Sequence, residues 1–123
     1  MQINHPETVA EVTACFEAYE RALVTNDLPA LDGFFWESEF VLRYGIGENL
    51  YGIEAIRQFR AHRPAGDLDR LLFRQVITTF GRDFATANAQ YRRYKSGAEG
   101  RVSQTWVRFA EGWRIVAAHV SAG

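Results

Sequence analysis

The chain has 123 residues, of which 47% are hydrophobic and 24% charged, and its net charge at pH 7 is −1. This length suits one packed core, so residues 1–123 are predicted to form a single domain. Without excess positive charge, a general affinity for nucleic acid or for an anionic membrane surface is not expected. The single cysteine, Cys15, excludes an intrachain disulfide. Together with an N-terminus that lacks signal-peptide character, it favours a reducing, cytoplasmic setting.

The first segment predicts a helix that begins near Pro6 and ends before Asn26-Asp27, because apolar residues recur at the spacing of one helical face. These residues are Val9, Val12, Phe16, Tyr19, Leu23 and Val24. Asp27 is placed to cap a second, shorter helix that continues to about Phe34.

From residue 39 onward, strand patterns dominate. A strand over 39–44 precedes a glycine-rich turn, GIGENLYG, and a third helix runs from about Ile53 to His62. Four further segments are rich in β-branched and aromatic residues and predict strands over 68–80, 84–94, 101–109 and 113–121. The last two strands are joined by a short link with the glycine typical of a hairpin. The order predicts an α+β domain with its helices on one face of a strongly bent antiparallel sheet.

This order of elements and the ending GWRIVAAHVS resemble the cone-shaped domains of the nuclear transport factor two-like, or SnoaL-like, superfamily. The stretches FEAYERALVTNDLPALDGFFW, LRYGIGENLYGIEAIRQFR and GRVSQTWVRFAEGWRIVAAHVS are more specifically similar to the AtzH-like family, which includes the HpxZ proteins. The resemblance covers about residues 5–121. It implies three N-terminal helices packed on a strongly bent antiparallel sheet that encloses a pocket.

The resemblance also implies a function. The family works beside amidases that break down urea-derived acids, such as the ring-opening products of cyanuric acid, and oxalurate. Its namesake is understood as a cofactor-independent decarboxylase of a urea that carries two carboxylates. A helix-one tyrosine and a first-strand arginine act in that reaction, and the matching positions are Tyr19 and Arg43. The expected ligand is therefore a small dicarboxylate or urea-derived acid, with no cofactor and with an amidase as possible partner.

Arg43 shares one face of its strand with Val41 and Gly45. One interpretation places this face in solvent, since charged residues are rarely fully buried. The other places Arg43 inside the cone, where an unpartnered guanidinium is costly and must meet a carboxylate. The planar fork of arginine binds a carboxylate through two hydrogen bonds, which lysine does not reproduce. With the family resemblance, we expect Arg43 in the pocket.

Tyr19 lies on the apolar stripe of the first helix and is therefore expected to point inward. One interpretation is a core tyrosine bonded to a backbone carbonyl. In the other, its hydroxyl donates to a carboxylate or relays a proton, and an ordinary pKa of about 10 makes it a proton donor more readily than a base. Gln104 is the preferred third pocket residue by resemblance, although a bulge in a bent sheet can reverse strand parity.

Four further residues are candidates for substrate binding. His119 is a candidate general acid or base, or a structural histidine, and Ser121 follows it on the last strand. Trp36 and Trp106 either wall the pocket or pack in the core. The three histidines and single cysteine have no metal-ligand spacing, so no metal is expected.

Two alternative functions stay open. One is a non-catalytic binding or assembly module for an amidase. The other is a SnoaL-like cyclase, dehydratase or isomerase, which needs an acid–base pair such as an aspartate with His119. A homodimer or homotetramer is also expected, because an apolar outer face of the sheet would need covering. The residues assigned to that face are Val107, Phe109, Trp113 and Ile115.

Overall fold

The computed structural model describes residues 1–123 and has the predicted α+β class. Its helices are α1 (Pro6–Val24), α2 (Leu28–Gly33) and α3 (Ile53–His62). Its strands are β1 (Leu42–Tyr44), β2 (Asn49–Tyr51), β3 (Arg70–Phe80), β4 (Phe84–Arg93), β5 (Glu99–Phe109) and β6 (Gly112–Ala122). No helix combines the length and the apolar composition needed to cross a membrane.

The two N-terminal helices form as their sequences predict. Pro6 occupies the first turn of α1, where its missing N–H is not needed by the helix. His5 takes the cap position without a side-chain hydrogen bond. The side chain of Asp27 accepts a hydrogen bond from the backbone N–H of Ala30 at 3.3 Å, which confirms it as the cap of α2.

The six strands form one sheet in the order β2-β1-β6-β5-β4-β3. The predicted meander of β3 to β6 is confirmed as antiparallel. Two features differ from the prediction. The segment predicted as a glycine-rich turn contains β2, which pairs with β1 as a hairpin. β1 runs parallel to β6 instead of antiparallel, because the chain returns to it from the far end of the sheet.

A β-bulge in β6 fixes which of its side chains face the helices. Thr105 of β5 pairs with Ala117, and the next residue, Trp106, pairs with Ile115. Val116 is therefore the extra residue of the bulge. Such an insertion shifts the alternation of side chains by one position.

The bulge gives β6 two inner-facing segments with different parity. Trp113 and Ile115 are buried before it, whereas Ala118 is buried and Val120 packs on the core after it. The prediction that Trp113 and Ile115 lie on an apolar outer face is wrong, because both belong to the core. The outer face instead carries polar residues: Thr86, Asn88, Ser103, Thr105 and His119.

The core lies between the helices and the inner face of the sheet. Helix α1 contributes four residues of its predicted stripe, which are Val12, Phe16, Tyr19 and Leu23. The inner face of β4 presents only small side chains opposite the helices, at Ala85, Ala87 and Ala89. Small residues there let the helices approach the sheet closely, and this closes one side of the cone.

We predict that Phe16→Ala lowers the free energy of unfolding by about 3–5 kcal/mol, because it removes a fully buried ring and leaves a cavity. Phe40→Ala is the matched control. Its ring is 72% exposed, and we expect a loss of about 0.5 kcal/mol or less. Urea unfolding of both variants measures the difference, and equal losses would contradict this account of the core.

Candidate functional site

Two adjoining cavities lie between the helices and the sheet. An inner cavity of about 30 Å³ lies deep in the cone, and an outer cavity of about 640 Å³ opens toward the end of α3 and the β4–β5 turn. Four residues line both cavities and mark where they meet: Arg43, Arg63, Arg93 and Val120. The inner cavity is also lined by Tyr19, Leu23, Arg70, Val102, Gln104 and Ala118.

Tyr19, Arg43 and Gln104 therefore line one cavity, as predicted. Arg43 of β1 and Gln104 of β5 both pair with Ala118 of β6, so a small side chain separates them on the inner face. Tyr19 approaches from α1, on the opposite side of the cavity. The row Arg43–Ala118–Gln104 forms a floor with polar ends and an open centre.

The hydroxyl of Tyr19 is held by a residue that the sequence did not single out. Nη2 of Arg60 donates a hydrogen bond to the Tyr19 oxygen at 2.8 Å, and both residues are buried. Because the arginine occupies a lone pair of that oxygen, the hydroxyl proton stays free to point at a ligand. Arg60 follows Ile53 and Ile56 on the inner face of α3, and this spacing is the signal that could have identified it.

Positive charge around Tyr19 makes its hydroxyl more acidic. Burial alone raises the pKa of Tyr19, but the guanidinium groups of Arg60, Arg43 and Arg70 lower it. The net pKa lies below the ordinary value of about 10. Tyr19 is therefore a stronger proton donor than a tyrosine in water.

Arg43 is buried, with 8% exposure, as the pocket interpretation requires. Its carboxylate partner within the protein is Glu48, whose Oε1 accepts a hydrogen bond from Nη1 at 2.9 Å. The guanidinium carbon also lies 5.3 Å from the ring centroid of Phe59. Gly45 makes the ion pair possible, because a Cβ at that position would lie 1.6 Å from the Glu48 carboxylate oxygen. Sequence reasoning missed Glu48 because it lies in the segment taken as a turn.

Trp106 fixes the orientation of Gln104. The indole Nε1 donates a hydrogen bond to Oε1 of Gln104 at 2.9 Å, and both side chains are buried. The amide nitrogen of Gln104 is left to donate to a ligand oxygen. Trp106 packs edge-on against Phe34, at a centroid distance of 6.1 Å, and does not line the cavity. Its place is behind Gln104 and not in the wall where it was predicted.

Two more arginines at the site are paired with acceptors within the protein. Arg70 binds the Glu20 carboxylate through Nε and Nη2, and its guanidinium lies over the Tyr91 ring. Arg93 donates through Nη1 to the backbone carbonyls of Asp67 and Leu68, at 2.8 and 3.3 Å. Arg93 thus holds the segment after α3 against β4. The strand pattern gave no sign of either role, because both partners are distant in sequence.

The structure does not bring the remaining predicted residues to the cavity. His119 lies on the outer face of β6, where it pairs with Ser103 and contacts the Tyr44 ring edge-on at 5.8 Å. Ser121 shares that parity. The bulge at Val116 is the cause, because it turns the residues after it by one position. Trp36 also lies elsewhere, stacked on Phe109 at a centroid distance of 5.4 Å.

Solved structures with the same architecture include two close relatives. A protein of unknown function from Pectobacterium atrosepticum is 54% identical, with a TM-score of 0.96 over 98% of this chain and 94% of that one. A cystatin-like fold protein from Burkholderia xenovorans is 47% identical, with a TM-score of 0.94 over 99% and 96% of the chains.

More distant structures show the fold alone. A nuclear transport factor 2-like superfamily protein from Salmonella enterica is 22% identical, with a TM-score of 0.77 over 94% of this chain and 91% of that one. A putative ketosteroid isomerase from Parabacteroides distasonis is 16% identical, with a TM-score of 0.73 over 89% and 85%. No curated protein matches the chain. The model of the AtzH-like family matches residues 1–123, and the chain therefore belongs to the AtzH-like family.

Proposed function

We propose that this protein binds a small dianionic, urea-like acid and removes one of its carboxylates as carbon dioxide, without a cofactor, beside an amidase of the same catabolic route. The observation that carries the proposal is the convergence of Tyr19, Arg43 and Gln104 on one buried, arginine-rich cavity. Membership of the AtzH-like family supports the same substrate class.

The charge of the two cavities favours a dianion. Their walls carry five cationic side chains, which are Arg43, Arg63, Arg70, Arg93 and Lys95. The walls carry two carboxylates, those of Glu48 and Asp67, and Glu20 pairs with Arg70 from outside the lining. The remaining positive charge lies in a partly buried site, where water screens it less than at the surface.

The inner cavity is too small for a whole dicarboxylated urea. A volume of about 30 Å³ holds one or two waters, so only one end of the ligand enters it. We place the departing carboxylate and its nitrogen at this end, beside Tyr19 and Gln104. The carboxylate that stays lies at the junction with the outer cavity, where Arg43 binds it.

The reaction breaks the bond between the nitrogen and the departing carboxylate carbon. The electron pair of that bond goes to nitrogen, Tyr19 delivers a proton to the same atom, and carbon dioxide leaves. A proton from water then restores the hydroxyl. The dianion and one proton thus become carbon dioxide and a urea with one carboxylate. Arg43 acts on the carboxylate that stays, since equal stabilisation of ground and transition states would not raise turnover.

We predict that Tyr19→Phe lowers kcat on a dicarboxylated urea by roughly 10²–10⁴-fold, the usual contribution of a general acid. Release of carbon dioxide is the measurement. Tyr91→Phe is the matched control, because Tyr91 is equally buried but lines neither cavity. Full activity in Tyr19→Phe would remove the tyrosine from the mechanism.

We predict that Arg43→Lys lowers kcat/KM by roughly tenfold or more, because lysine keeps the charge but cannot both pair with Glu48 and bind a carboxylate through a fork. Arg92→Lys, at an exposed position, is the control and should match the wild type. If Arg43→Lys and Tyr19→Phe both keep full activity, the site assignment is wrong. Ligand binding without any turnover in the wild type would favour the binding-module alternative.

The pH dependence follows from the lowered pKa of Tyr19. A proton donor works only while protonated, so kcat is retained below this pKa and falls as the pH rises through it. We expect the falling limb below pH 10, the ordinary pKa of tyrosine. Subtraction of the rate without enzyme at each pH isolates the enzymatic step. A falling limb that persists unchanged in the residual activity of Tyr19→Phe would assign the titration to another group.

A further inference from the structure

Arg63 lies at the junction of the two cavities, at a position fixed by the end of α3. Its backbone N–H closes the helix by donating to the carbonyl of Phe59 at 3.0 Å. Its own backbone is extended, with ψ of 148°, as expected for a residue that precedes proline. Helix and proline together determine where the side chain starts, and the side chain then lines both cavities.

The guanidinium of Arg63 has one edge without any partner. Nε and Nη2 are both buried and neither makes a hydrogen bond. The other arginines of the site are engaged: Arg43 with Glu48, Arg70 with Glu20 and Arg93 with backbone carbonyls. Arg60 also keeps two unbonded nitrogens, but its Nη2 is committed to Tyr19 and it lines neither cavity.

The free edge of Arg63 has the geometry of a carboxylate receptor. Nε–H and Nη2–H point in parallel and match the two oxygens of a carboxylate. The same two nitrogens of Arg70 bind both oxygens of Glu20 in this protein. A buried guanidinium without a partner is costly, so an anion at this edge relieves a cost that the empty site carries.

Electrostatics supports the same conclusion. Burial lowers the pKa of Arg63 to about 10, and the neighbouring charges of Arg60, Arg43 and Arg93 contribute to the lowering. Arg63 stays protonated at neutral pH and is repelled by its neighbours. A carboxylate of Asp67 lines the same outer cavity, and its Oδ1 is also buried without a hydrogen bond. The two groups do not pair with each other, which leaves the guanidinium edge for a ligand.

We propose that Arg63 binds the retained carboxylate of the ligand through Nε and Nη2 and shares it with Arg43. This inference rests on the proposed anionic site but not on turnover. It assigns to Arg63 the forked recognition that the sequence assigned to Arg43, whose Nη1 is occupied by Glu48. The site then selects acids with a carboxylate at the end remote from Tyr19.

Calorimetric titration with malonate tests the proposal. We expect the wild type to bind malonate, and Arg63→Gln to bind it roughly tenfold or more weakly, the usual effect of losing charge-assisted hydrogen bonds. Arg63→Lys should recover only part of the affinity, because it restores the charge without the fork. Arg101→Gln removes an exposed charge on the outer face and should bind as the wild type does.

Each other outcome has a distinct meaning. Wild-type affinity in Arg63→Gln, or full recovery in Arg63→Lys, overturns the role of Arg63 and leaves the proposed function standing. Malonate binding that depends on Arg63, without decarboxylation of a dicarboxylated urea, overturns the proposed reaction alone. Absence of malonate binding in the wild type overturns both.

A second measurement checks that the variant is folded. Without ligand, we expect the melting temperature of Arg63→Gln to equal or exceed that of the wild type, because the substitution removes a buried charge that has no partner. A lower melting temperature would show that Arg63 stabilises the fold through a protein contact, and this would contradict the proposal.

Discussion

The composition of the site depends on one extra residue in β6. Because Val116 is inserted opposite the Thr105–Trp106 step, the strand presents Ala118 inward, between Arg43 on one side and Gln104 on the other. Strict alternation from Ile115 would have put Ala117 and then His119 on this face. An alanine leaves space between two polar side chains, whereas a histidine two residues further along would have filled the junction of the cavities. The bulge therefore creates the floor on which a ligand lies.

The second constraint is the cost of burying guanidinium groups. Glu20 and Glu48 hold Arg70 and Arg43, and Asp32 lies 3.7 Å from Nε of Arg60. Pairs of this kind contribute little net stability, but they lock the side chains in one orientation. A ligand then meets arginines that lose little freedom on binding, which is the basis of preorganised recognition. Arg63 lies outside this internal pairing, so the excess of charge is concentrated where a ligand carboxylate would complete it.

Local sequence patterns predicted the helices, the cap at Asp27 and the meander, because each depends on neighbours close in the chain. Tyr19 was placed by helical periodicity, whereas Arg43 and Gln104 needed the family resemblance to choose a strand face. His119 and Ser121 were misplaced because a bulge is a property of strand pairing and leaves no mark in one strand's alternation. Glu48 and the arginines after residue 59 were missed for a similar reason, since their partners are set by tertiary structure. Arg60 is the exception, because the spacing from Ile53 and Ile56 pointed inward.

The same positive charge serves two opposing needs in the proposed reaction. It attracts the dianion, but it also stabilises the carboxylate that must leave and so resists the loss of carbon dioxide. The hydrogen bond from Arg60 to Tyr19 offers a way out of this conflict. As the proton moves to nitrogen, negative charge develops on the tyrosine oxygen, and Arg60 already donates to that atom. Stabilisation therefore grows along the reaction at Tyr19, whereas at Arg43 it stays constant, and only the growing term lowers the barrier.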